Sequence, residues 1–188
     1  MHDHAMRPRA YGHRGFTLIN LMLSLAIASL AMAIGVPAFK SLSARAEQTS
    51  EINSLARHLQ LTRSYAIKTG TNHVLCPSSN GSDCLGSSQW DQGYILFEDT
   101  DRDGARGTGE KLLHAYRSNS GIAIDMRSTS GRTQVTYRQD GFSVGSNLTL
   151  TFCDPDQGIP PKAVILSNTG RTRVSTTRWD GTPLNCSP

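Results

Sequence analysis

Between Arg14 and Lys40 the chain carries no charged residue, and this gap is the most informative absence in its 188 residues. Elsewhere charge is also sparse, at 18%, and aromatic residues make up only 6%. Four cysteines are present but no CxxC, which argues against a zinc site. No HExxH or P-loop pattern occurs, so metalloprotease and nucleotide-binding chemistry have no basis here. His58, His73 and His114 are scattered with no partner in sight, and the chain reads as a protein other than an enzyme. Internal repeats and long disordered tracts are lacking too, and the length suits one domain with an appended segment.

The uncharged gap contains FTLINLMLSLAIASLAMAIGVPAF, residues 16–39. A helix needs roughly 20 apolar residues to cross the hydrocarbon core, so this run is long enough. Arg7, Arg9 and Arg14 precede it, which sets that end in the cytoplasm by the positive-inside rule. A secretory signal peptide has a shorter apolar core followed by a small-residue cleavage site, and that pattern is missing. The total charge is +4, yet three of the 19 basic and one of the 15 acidic residues lie before the run. The remainder is nearly neutral, so bulk charge does not argue for nucleic acid.

The junction Arg14-Gly15-Phe16-Thr17-Leu18-Ile19 resembles the processing site of type IV pilins and pseudopilins. The resemblance implies a leader, residues 1–15, that a prepilin peptidase removes after Gly15, with methylation of the new N-terminal Phe16. It also implies that the helix stays attached, holds the protein in the bacterial inner membrane, and packs against other pilins or pseudopilins. Pro37 falls inside that helix, as in the family. The fifth residue after cleavage is usually a glutamate that meets the N-terminal amine of a neighbouring subunit; here it is Asn20, which accepts a hydrogen bond but carries no charge. Lack of that glutamate resembles subunits at a filament tip, and a tolerated substitution in a minor subunit is the equal alternative.

Beyond Pro37 the helical pattern continues, with Leu42, Ile52, Leu55, Leu59 and Ala66 near one face and Gly70 as a stop. Residues 16–69 would span about 80 Å as one helix, with 16–39 in lipid or a filament core and 40–69 amphipathic. From 70 to 188 the pattern is of short β-rich segments, 73–76, 93–98, 111–116, 122–126, 134–138, 148–153, 162–167 and 171–176, separated by Gly, Asn, Ser or Asp. The fold class expected is α+β: a pilin-like long N-terminal helix packed on an antiparallel β-sheet domain in the periplasm. Trp90-x-x-Gly93, the Phe97 to Gly104 stretch, Asp140-Gly141-Phe142 and Leu166-Ser-Asn-Thr-Gly-Arg-Thr-Arg173 resemble minor pseudopilins of the GspH/FimT type. An export-competent chain with Cys76, Cys84, Cys153 and Cys186 implies disulfides. Of three pairings, Cys76–Cys84 closes a small polar loop and Cys153–Cys186 pins the tail, and these are the favoured two.

Two clusters carry candidate chemistry. Asp99-x-Asp101-x-Asp103-Gly104-x₅-Glu110 matches the calcium-loop pattern of the EF-hand. Its flanks look like strands, Arg102 and Arg106 could neutralise the acids, and a polar hairpin loop is the competing reading. No other cofactor is indicated. Near the C-terminus, Gly170, Arg171, Arg173, Arg178 and Trp179, with Lys162, form the second cluster. Arginine presents a planar fork suited to phosphate, and Trp179 offers a stacking face. The Gly-Arg-x-Arg motif resembles one in FimT-type minor pilins that bind DNA in natural transformation. From Arg127 onward seven basic residues stand against four acidic ones. Basic residues also discourage edge-to-edge sheet association, and a structural minor pseudopilin of a type II secretion system or a pilus-priming complex is the alternative function.

Overall fold

The computed structural model describes residues 17–117, 124–156 and 158–186. Gly15, Phe16 and the leader lie outside the described residues. Two compact units are present, residues 1–39 and 40–188.

One helix, α1, runs Leu18–Thr69. In the first unit it is exposed throughout and, apart from Asn20, Ser24 and Ser29, apolar, and it is long and apolar enough to cross a membrane. The hydroxyls of Ser24 and Ser29 donate to the Leu21 and Ala26 carbonyls, each at 2.8 Å. In a medium without water such internal bonds satisfy groups that would otherwise be costly. Pro37 removes the amide that would donate to the Ala33 carbonyl, yet the helix continues through it.

In the second unit α1 buries Ala44, Gln48, Ile52, Leu55, Leu59, Thr62 and Ala66, at spacings of three and four. Leu42, placed on this stripe by sequence pattern, is instead exposed. The helix ends where the Gly70 amide donates to the Ala66 carbonyl in a left-handed conformation, φ +71°, a position glycine fills at no steric cost.

Eight strands follow: β1 Asn72–Pro77, β2 Tyr94–Asp99, β3 Leu112–Tyr116, β4 Asp125–Ser128, β5 Val135–Tyr137, β6 Leu148–Cys153, β7 Lys162–Leu166 and β8 Thr172–Ser175. All pair antiparallel, but in two four-stranded sheets, ordered β3-β2-β1-β5 and β4-β6-β7-β8. Leu55 and Leu59, fully buried, join Leu75, Leu96, Leu150 and Val164 from the two sheets in one core. Each such leucine contributes about 1.5–3 kcal/mol by leaving water. Gln48 donates from Nε2 to the Phe152 and Pro160 carbonyls, at 3.2 and 3.1 Å, and so stitches the helix to β6 and to the loop before β7. Cys76 is bonded to Cys84 and Cys153 to Cys186.

His58 sits half-buried on α1, its Nδ1 2.8 Å from the Ser54 carbonyl and 3.0 Å from the Tyr94 hydroxyl. Burial holds its pKa below the usual 6.5, ahead of the charges of His114 and Arg57. The folded chain therefore binds fewer protons at this site than the unfolded chain, and stability falls as pH drops below about 6.5. Thermal unfolding followed from about pH 8 to about pH 5 will show this decline, and His58→Gln will make it shallower.

Candidate functional site

Strand register sets Arg173 and Arg127 on one face of the second sheet. Directly paired residues share a face. Arg173 is opposite Ile165, and Ile165 is opposite Thr149; Arg127 is opposite Thr151. Arg127, Thr149, Thr151 and Arg173 therefore lie on the same side of the second sheet, away from the core side that carries Leu150, Phe152 and Val164. Arg171 is two residues before Arg173, and its carbonyl accepts from the Ser167 amide. β8 is an edge strand; Arg173 is exposed on it and Arg171 is exposed just before it.

After β8 the chain turns in a small hairpin, with a bridge between Thr177 and Pro183 and the Arg178 amide donating to the Thr182 carbonyl at 2.8 Å. This turn presents Arg178 and Trp179, which is 72% exposed. The following tail, tied to β6 by Cys153–Cys186, walls a groove of about 340 Å³. Arg127 and Arg178 line it together with Ser88, Thr149 and Thr151. A second pocket, about 370 Å³, joins Arg171 to Arg63 of α1, with Gln60 and Ser64 beside them.

Arg127 is paired with Asp125. Arg171, Arg173 and Arg178 have no carboxylate at ion-pairing distance among the described residues. Asp180, the nearest acid in sequence to Arg178, is engaged by the Thr182 hydroxyl and amide, which hold its carboxyl below the usual range. The face thus offers guanidinium forks and hydroxyls with little competing charge.

Two of the residues read from sequence as part of this cluster sit elsewhere. Lys162 is opposite Phe152, on the core side of β7, and does not share the arginine face. Gly170 is buried in a turn at φ +76°, and its carbonyl accepts from Arg63 Nη1 at 3.3 Å and from the Tyr137 hydroxyl at 3.4 Å. Its place in the motif is architectural. Arg127, Arg63 and the hydroxyls are the residues that sequence reasoning missed. Alternation could have found Arg127, because it follows Met126, a buried residue of the same strand.

In the acidic loop, carboxylate oxygens of Asp99, Asp101 and Asp103 lie within 4.8 Å of one another. Glu110 is not with them: its Oε1 accepts from the Thr100 amide at 2.7 Å and its Oε2 from the Gly107 amide at 3.0 Å. Burial pushes the Asp99 carboxyl above its usual range, against the lowering effect of the nearby Gly104 amide. Asn20 lies in the first turn of α1, where its amide donates to the Thr17 carbonyl at 3.0 Å.

Against known proteins, the family model described as type II transport protein GspH matches residues 51–170. Two crystal structures of the type IV minor pilin FimU of Pseudomonas aeruginosa, strain PAO1, are similar in fold. The one in space group P21 is 18% identical, covers 70% of this chain and 90% of its own, and has a TM-score of 0.53. The one in space group P65 is 18% identical, covers 68% and 91%, and has a TM-score of 0.49. No curated protein matches the chain. A long apolar N-terminal helix packed on antiparallel sheets is a pilin-like architecture, shared with FimU at the level of fold. With the family model covering well over half its length, the chain belongs to the GspH family.

Proposed function

We propose that this chain is a FimT-like minor pilin that captures double-stranded DNA for uptake in natural transformation. The observation that carries the reading is the pair Arg171 and Arg173, exposed beside and on the edge strand β8 and unpaired by any carboxylate among the described residues, with Arg173 on the same sheet face as Arg127. Contacts would go to phosphates, with Trp179 stacking at the margin, and would be independent of base sequence. In this reading the leader is removed after Gly15, Phe16 becomes the N-terminus, and residues 16–39 anchor the protein in the inner membrane. There they pack against other pilins, and Asn20 takes the glutamate's place without its charge. Two disulfides fit a β-domain in an oxidising periplasm. The protein acts by binding and assembly, not by catalysis.

A structural role is the second reading: a minor pseudopilin of a type II secretion or pilus-priming complex. It is favoured by the extent of the family match, which ends at residue 170 and so leaves out Arg171, Arg173, Arg178 and Trp179.

The test uses the full chain in nonionic detergent, titrated with a short DNA duplex at low and moderate salt. A Kd on the order of 10⁻⁴–10⁻⁶ M that weakens as salt rises is expected. Arg171→Ala with Arg173→Ala will weaken it at least about tenfold and flatten the salt dependence by about two phosphate contacts. A folded chain that ignores DNA at low salt leaves the structural reading standing.

A further inference from the structure

The acidic loop is not absorbed by any role in DNA binding or filament assembly. It joins β2 to β3, with Asp99 the last residue of β2. Asp99 is 1% exposed; the Gly104 and Arg102 amides bear on its carboxylate, while its Oδ1 is buried with no hydrogen-bond partner among the described residues. A carboxylate oxygen in that position is costly unless something positive meets it. Asp101 and Asp103 are exposed, and one carboxylate oxygen from each of the three residues lies within 4.8 Å of the others. Two oxygens on opposite sides of a calcium ion, each at about 2.4 Å, are separated by about that distance.

The remaining protein groups deepen the need for a cation. Asp101 Oδ1 accepts from the Asp103 amide at 3.2 Å, and Asp103 Oδ1 accepts from the Ala105 amide at 2.7 Å. The second oxygen of each has no protein donor among the described residues. The two arginines of the loop do not neutralise the cluster. Arg106 donates from Nη1 to the Ser82 carbonyl and from Nη2 to the Glu110 carbonyl, and neither it nor Arg102 makes an ion pair with these acids. Glu110 closes the loop by gripping the Thr100 and Gly107 amides, which fixes the loop ends without occupying the cluster.

We infer that Asp99, Asp101 and Asp103 form a calcium site, with Glu110 as a positioning residue that acts through the loop backbone. It differs from the twelve-residue calcium loop of the sequence pattern, where the final glutamate is a bidentate ligand. With three carboxylate ligands and the rest of the shell from carbonyls and water, the affinity belongs with extracellular modules, a Kd of roughly 10⁻⁴–10⁻³ M. Magnesium, which demands near-ideal octahedral geometry at shorter distances, binds more weakly.

The test is calorimetric titration of calcium chloride into chelator-treated full chain in detergent, beside thermal unfolding. One calcium per chain is expected, and a rise in Tm of roughly 3–8 °C in about 10 mM calcium, with a smaller rise in magnesium. Asp101→Asn with Asp103→Asn keeps both Oδ1 acceptors for the loop amides while removing two charges. This variant should match the parent's Tm in chelator and lose at least about tenfold in calcium affinity. Three results would overturn the inference: no calcium binding by the parent chain, an unchanged affinity in the variant, or an equal response to magnesium.

Discussion

Gly170→Ala will unfold the β-domain at a much lower temperature, by about 3–5 kcal/mol of lost stability, whereas Arg171→Ala beside it stays within about 0.5 kcal/mol. The reason is local. Gly170 adopts φ +76°, where a Cβ is strained, and the Cβ of alanine would come 2.2 Å from the Gly141 carbonyl oxygen. That oxygen is backbone, so no side chain can swing away to make room. Gly141 is itself at φ +77° and has Ile67 Cδ1 2.7 Å from where its own Cβ would be. The turn before β8 and the Asp140-Gly141 turn therefore meet at two glycines against α1. Moving Gly170 would also disturb the bonds its carbonyl accepts from Arg63 and the fully buried Tyr137. Circular dichroism melts of the full chain in detergent will separate the two variants, with Gly170→Ala lowering Tm by about 10 °C. A Gly170→Ala chain that kept its Tm yet lost DNA binding would return the glycine to the interface.

The same two turns show what sequence could and could not convey. Asp140-Gly141 and Thr169-Gly170 are legible as turns because glycine alone tolerates those φ values cheaply. That they touch is decided by pairings between distant strands, and no local pattern encodes it. The eight strands were likewise legible from their β-formers; the fourth, expected over 122–126, is Asp125–Ser128, with 122 and 123 outside the described residues. Their division into two sheets depends on β5 joining β1 and β4 joining β6, contacts of long sequence separation. On α1 the apolar stripe was readable in outline, but buried Gln48 owes its place to two carbonyls of remote segments. Lys162 looks equivalent to the arginines in composition; strand parity puts it on the other side of the sheet. Glu110 matches a ligand in spacing, yet two nearby amides claim both its oxygens.

Replacing both Cys153 and Cys186 by alanine will lower stability by about 3–4 kcal/mol, more than loss of Cys76–Cys84, at about 2–3 kcal/mol. The difference follows from sequence separation, 33 residues against 8, because the longer closed loop restrains more of the unfolded chain. The two bonds should also part company in function. Cys76–Cys84 closes a loop bordering the acidic cluster, where Arg106 reaches the Ser82 carbonyl. Cys153–Cys186 fixes the tail that faces Arg127 across the groove and follows directly on Arg178 and Trp179. Arg171 and Arg173 do not depend on it, because β8 is held by its own ladder to β7. In the DNA titration the Cys153/Cys186 variant, measured below its melting range, should therefore lose severalfold in affinity and keep the part that Arg171 and Arg173 supply. Unchanged affinity in that variant would confine the interface to the β8 edge, while a loss as deep as that of the Arg171/Arg173 variant would make the tail its centre.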